Sequence, residues 1–176
     1  TINGEPWSKY AAGYMWGVTG IIYNPEDVTK QEASTWKIIN NDKFRRMITV
    51  KDNVRDTMFA AIGAIKSDKL RSQDFIRQAD YTDKLAEEMN DTSKDTVDEV
   101  LEYLQQVKDN VYSFETDSGK IDAITGKISA GYQWSGDAVY IMQQAEANDV
   151  ELNFAIPEEC TNMYFDGWAM LKSGIN

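Results

Sequence analysis

Two hydrophobic periods take turns along this chain, and their alternation constrains the fold more than any other feature. Runs rich in β-branched and aromatic residues read as strands. They are separated by stretches whose apolar residues recur every three or four positions, as on one face of a helix. Residues 14–23 form a strand, interrupted at its glycines and closed by the turn signal Asn24-Pro25. Residues 36–40 make a short helical turn or loop, and 47–50 a short buried strand. A helix starts at Asn53, with Val54, Met58, Ala61, Ile62 and Ile65 on one face and Asn53 or Asp52 as its cap. Residues 67–94 are polar and weakly periodic, which predicts a surface excursion with a helix near 81–89. Val97, Val100, Leu101, Leu104 and Val107 define a second amphipathic helix. Strands at 111–114, 128–134, 150–156 and 163–171 follow, with helices at 120–125 (ended by Gly126) and 136–147. The predicted class is α/β: a mostly parallel sheet flanked by helices, with right-handed crossovers. In such sheets a ligand sits beyond the carboxyl ends of the strands.

A chain of 176 residues is long enough for one domain with a substantial core. No apolar run reaches the roughly 20 residues of a membrane helix, so direct membrane insertion is not expected. The net charge of −11 argues against nucleic acid, which needs a basic face, and suits a cationic ligand. The lone cysteine, Cys160, excludes an internal disulfide. The absence of histidine removes the usual general base and the commonest metal ligand. Hydrolytic triads and most zinc sites are thereby excluded. The acids show no calcium-loop spacing, so neither a metal nor a cofactor is expected. The chain opens on Thr1 with no signal-peptide pattern and stops just after a strand-like run. Both ends read as cuts in a longer protein.

Two segments place a large ring within three residues of a carboxylate: Gln133-Trp-Ser-Gly-Asp137 and Tyr164-Phe-Asp-Gly-Trp168. A ring face and a carboxylate both attract a cation, so the pair reads as two walls of a site for an organic amine. The competing reading makes Trp134 and Trp168 core residues and leaves the acids in water. Tyr164 and Asp166 share a strand face, since side chains alternate. Asp56 fits either a ligand contact or a capping box with Asn53, and the two roles can coexist. Arg55 points elsewhere, to the surface or a salt bridge. Ser135-Gly136 opens a helix whose free N–H groups could instead hold an anion. Glu158 and Glu159 follow Pro157 in a turn and read as solvated.

The sequence resembles the extracellular solute-binding proteins of bacterial ABC importers, most closely their spermidine/putrescine-binding branch. The resemblance rests on residues 14–24 (YMWGVTGIIYN), 51–56 (KDNVRD), 131–138 (GYQWSGDA) and 162–168 (NMYFDGW), whose order and spacing match over nearly the whole chain. It implies a type 2 periplasmic-binding-protein fold, of which residues 1–176 resemble the second lobe alone, without the first. It implies no enzyme but a binding component that traps a polyamine between two lobes and delivers it to a membrane permease, in the periplasm or at the extracellular face. It also implies the site: Asn53 and Asp56 at the start of the first long helix, Trp134 on the methylene stem, and Tyr164 and Asp166 at the return crossing. Asn53 stands where a carboxylate is usual and Tyr164 where tryptophan is usual. Trp168 then reads as core and Asp137 as an acid at a helix start. Rival readings are the same fold with another amine, a thiamine-like cation or a sugar, an acid-catalysed hydrolase using Asp56 and Asp166, and a pure interaction domain.

Overall fold

The computed structural model describes residues 3–174, and a long strand, β1 (Ala12–Tyr23), organises it. The chain then runs through α1 (Lys30–Ala33), two 3-10 turns at Trp36–Asn40 and Asp42–Phe44, β2 (Ile48–Lys51) and α2 (Val54–Ile65). Next come α3 (Ser67–Leu70), α4 (Gln73–Ile76), α5 (Tyr81–Met89), α6 (Lys94–Asn110), β3 (Ser113–Glu115) and α7 (Gly119–Ile124). Then follow β4 (Ala130–Trp134), α8 (Ser135–Glu146), β5 (Asn153–Ala155), β6 (Met163–Trp168) and a 3-10 turn at Lys172–Gly174.

The sheet order is β3-β2-β4-β1-β5, with β6 pairing β1. β2 is parallel to both β3 and β4, whereas β1 is antiparallel to β4, β5 and β6. The parallel character expected from the alternation therefore holds for β2, β3, β4 and β5, and β1 runs against them. Its aromatic and β-branched run is also unbroken. The glycines do not interrupt it; they permit close approach. Residues 12–18 of β1 pair with β6, and residues 19–23 pair with β4 and β5. One strand thus belongs both to the sheet and to a two-stranded ribbon that leaves it.

Alternation along the strands divides the core. Ile21 and Tyr23 of β1, Ala130 and Tyr132 of β4, and Ile48 and Val50 of β2 face α2 and α6. Trp36 lies at the centre of this layer, fully buried and stacked on Tyr132 with ring centroids 5.1 Å apart. Ile22 turns to the other face, with Ala123 of α7 and Ala138, Ile141 and Ala145 of α8. A third cluster joins the outer side of α2 to Leu70, Phe75, Met89 and Val100. It anchors the 67–94 excursion, which contains α3 and α4 as well as the predicted α5.

Helix ends follow local chemistry. Asn53 caps α2, its side-chain oxygen accepting the N–H of Asp56 at 3.2 Å. Gly126 ends α7 with φ of 68°, a left-handed conformation that glycine adopts without penalty.

The Glu159 carboxylate overturns one sequence expectation. It is fully buried, not solvated, and accepts hydrogen bonds from Thr35 Oγ1, from the Trp36 N–H at 3.3 Å and from Ser67 Oγ at 2.6 Å. A charge can be buried where donors converge on it, and here three do. Glu158 stays outside and pairs with Arg71.

Candidate functional site

The strand register brings distant residues onto one face. In an antiparallel ladder, directly opposed residues point the same way. Trp134 lies opposite Thr19, Tyr164 opposite Gly17, and Asp166 opposite Met15. Positions 15, 17 and 19 of β1 share a face, so Trp134, Tyr164 and Asp166 form one stripe along it. At about 3.3 Å per residue, the stripe from Met15 to Thr19 is about 13 Å long. It begins at the carboxyl end of β4 and continues onto the ribbon.

Gly17 allows Tyr164 to lie flat on this face. A methyl group at position 17 would overlap the Tyr164 phenol and crowd Ser135 Oγ. The Ser135 hydroxyl accepts the Val18 N–H at 3.1 Å, which ties the start of α8 to β1 beside Tyr164. Tyr164 is partly buried, whereas Asp166 is exposed and has no hydrogen-bond or ion-pair partner among the described residues. A carboxylate open to water beside a ring face is equipped to receive an ammonium.

The Trp134 end is built differently. The indole Nε1–H donates to Asp56 Oδ2 at 3.2 Å, so two residues selected from the sequence do meet. Asp56, however, is fully buried. Its other oxygen lies 3.4 Å from Arg55 Nε, so Arg55 is the surface salt-bridge residue expected, and its partner is Asp56 itself. Asp56 therefore fixes the angle of the Trp134 ring and does not itself face the open stripe. Asn53 is exposed, but its carbonyl oxygen already accepts the Asp56 N–H, and its amide presents donors, not acceptors, to any amine.

Lys51, which sequence reasoning missed, lies beneath the same ring. Its Nζ is 4.5 Å from the Trp134 ring centroid, donates to the Thr116 carbonyl at 2.9 Å and lies 3.6 Å from Glu115 Oε1. Both Lys51 and Glu115 are buried. Burial holds the Lys51 ammonium below its ordinary pKa, against the opposing pull of Glu115 and Asp137. Beyond it, Asp137 pairs with Lys120 at 3.0 Å, so this acid at the start of α8 is neutralised. Burial alone would lower the Lys120 pKa, but its hydrogen bonds to Asp137 and Asp117 outweigh burial and raise it. The only sequence signal for Lys51 was a lysine closing an apolar strand, where a charge needs a partner.

Trp168, expected in the core, is 69% exposed. It packs edge-on against Tyr14 near the end of the ribbon, with centroids 5.4 Å apart. A groove of about 590 Å³ runs between α2 and α5, lined by Arg55, Met58, Phe59, Leu85, Met89 and Met163 among others. Burial pushes the Cys160 thiol up to about 12, leaving it protonated and unreactive. No cluster of potential metal-ligating acids or thiols occurs among the described residues.

The sequence model for bacterial extracellular solute-binding proteins matches residues 2–174. The chain belongs to this family. It is 24% identical over 169 residues to the putrescine-binding periplasmic protein PotF of Escherichia coli K12, a match covering 94% of the chain. It is 20% identical over 169 residues to spermidine/putrescine-binding periplasmic protein 1 of Haemophilus influenzae, covering 96% of the chain. The chain spans 43% and 40% of the lengths of these two relatives. Among solved structures, a spermidine/putrescine ABC transporter substrate-binding protein from Streptococcus pneumoniae superposes with a TM-score of 0.70 at 20% identity, covering 92% of this chain and 42% of that one. The TpPotD lipoprotein of Treponema pallidum gives 0.69 at 17% identity, covering 95% of this chain and 46% of that one. At these identities the shared property is the fold. Proteins of this family bind solutes and work on the outer side of the bacterial cytoplasmic membrane. No helix among the described residues is long and apolar enough to cross a membrane.

Proposed function

We propose that this chain is the second lobe of a polyamine-binding protein that serves an ABC importer. The observation that carries the proposal is the stripe of Trp134, Tyr164 and Asp166 on one face of β1, with Asp166 unpaired and open to solvent. A polyamine is a row of ammonium groups on an apolar stem, so it needs a carboxylate for a charge and rings for the methylenes. Asp166 receives an ammonium, Tyr164 and Trp134 line the stem, and Asp56 holds the Trp134 ring in place. The names of the relatives support this ligand class, and the family description supports a binding role with no chemical step. The other wall comes from a first lobe, and closure of the two lobes traps the ligand for delivery to a permease.

Calorimetry with putrescine and spermidine tests the reading, on this chain and on the longer protein that contains it. The longer protein binds tightly and the chain weakly, because one wall is missing. Asp166→Asn removes a charge-assisted contact and weakens amine binding about tenfold or more. An amine affinity indifferent to Asp166→Asn in the longer protein refutes the site.

A further inference from the structure

The Trp134 ring has two faces, and the protein already holds a cation against one of them. Lys51 Nζ lies 4.5 Å from the ring centroid. It cannot leave easily, because the side chain is fully buried, donates to the Thr116 carbonyl at 2.9 Å and has Glu115 at 3.6 Å. The rim of the ring is pinned as well, through Nε1–H to Asp56. Trp134 is only partly buried, so its remaining exposure lies away from Lys51.

The quadrupole of an aromatic ring can be drawn on from both sides, but the two sides are not independent. A cation on one face withdraws electron density from the other and repels a second cation there. The charges around Trp134 are already matched: Lys51 with Glu115, and Arg55 with Asp56. Asp52, next to Lys51 in the chain, is exposed and lies outside these pairs. The unpaired carboxylate of the stripe, Asp166, stands at the other end, opposite Met15.

We propose that Lys51 is a specificity-determining residue of the ligand site, resting on the reading that Trp134 is one of its walls. Its fixed ammonium makes the outer face of Trp134 a seat for an uninterrupted methylene run and disfavours an ammonium there. The preferred ligand is a linear amine with charges at its ends and none where the stem crosses Trp134.

A matched probe pair isolates this property. Spermidine and 1,8-diaminooctane have the same chain length, and the internal ammonium of the first is a methylene in the second. Calorimetry on the intact protein gives the ratio of the two affinities for wild type and for Lys51→Met/Glu115→Gln, which removes the cation and avoids stranding a buried carboxylate. We expect the ratio to shift toward spermidine by about three- to tenfold, the scale of one partly desolvated cation–π contact. Should that pair fold poorly, Lys51→Met/Glu115→Leu replaces it, since apolar substitutes for a buried ion pair are often tolerated. A ratio that moves less than twofold in a folded variant overturns the role of Lys51. Trp134→Ala separates the two readings. If it weakens both amines while the ratio in the Lys51 variants stays fixed, the site stands and the inference falls. If it changes neither affinity, Trp134 is not a wall and both fall.

Discussion

The hydrogen bond from Trp134 to Asp56 joins β4 to the start of α2 at the proposed site, and a double-mutant cycle can weigh it. Asp56→Ala leaves the indole N–H without its acceptor, and Trp134→Phe leaves the Asp56 carboxylate with Arg55 alone. A hydrogen bond to a charged group contributes about 1.5–3 kcal/mol, and this one, at 3.2 Å and partly buried, belongs in the lower half of that range. Part of the loss is returned in Asp56→Ala, because a fully buried charge is removed at the same time. We therefore expect Asp56→Ala to cost about 1–2 kcal/mol, a fall in Tm of about 2–8 °C for a chain of this size. Trp134→Phe should cost somewhat more, since it also removes the ring area packed on Lys51. The decisive quantity is the coupling between them. Urea unfolding of wild type, both single variants and the double variant should give a coupling of about 1–2 kcal/mol, with m unchanged. A coupling below about 0.3 kcal/mol would mean that the two side chains do not sense each other, and the account of Asp56 as the residue that orients Trp134 would be wrong.

Gly17→Ala should displace Tyr164 and weaken amine binding in the longer protein, and Tyr164→Ala in the same chain should relieve the strain, read as recovery of Tm. Glu159→Ala strands the Thr35, Trp36 and Ser67 donors in the core and should cost about 2–4 kcal/mol by urea unfolding; a loss under 1 kcal/mol would contradict its burial. Glu32 completes a capping box with Thr29 and pairs with Lys43, and these contacts, the Lys43 pair first, lower its pKa from 4.5 to about 2. Its folded value lies below its unfolded one, so its stabilisation is complete above about pH 4.5 and is lost as the pH falls toward 2. Glu32→Gln should flatten the acid limb of the stability curve in that window and leave pH 7–8 behaviour parallel to wild type.

Much of this architecture was legible because its causes are local. The α2 face, its Asn53 cap, the Gly126 stop and the shared face of Tyr164 and Asp166 follow from periodicities within a few residues. What was not legible depends on partners far away in sequence. The reversal of β1 is invisible in its own composition, because direction is set by which strands flank it. Glu159 follows a proline in a turn, yet Thr35 and Ser67 draw it inward from about a hundred residues away. Asp56 read equally well as cap or ligand contact, and only the approach of Trp134 from β4 shows that it holds a ring. Lys51 was passed over because a lysine at a strand end looks ordinary until Glu115, Thr116 and Trp134 enclose it. Trp168 failed for the opposite reason: a large aromatic in an apolar run suggests a core, but Trp7 covers the ribbon at Phe165 and Gly167, and Trp168 packs edge-on against Tyr14 while staying exposed.

That ribbon has a mechanical consequence. The ladder from β1 to β6 ends at Val18, and the ladders from β1 to β4 and β5 begin at Thr19 and Ile21. The strand therefore acts as a torsion bar gripped by different partners at its two ends, and the grip changes hands next to Gly17, the residue on which Tyr164 rests. Any twist of the ribbon against the sheet must turn the Tyr164–Asp166 half of the stripe relative to the Trp134 half. By linkage, a molecule that fits only one value of that angle holds the bar at that value, and a force on the ribbon tunes how tightly the molecule is held.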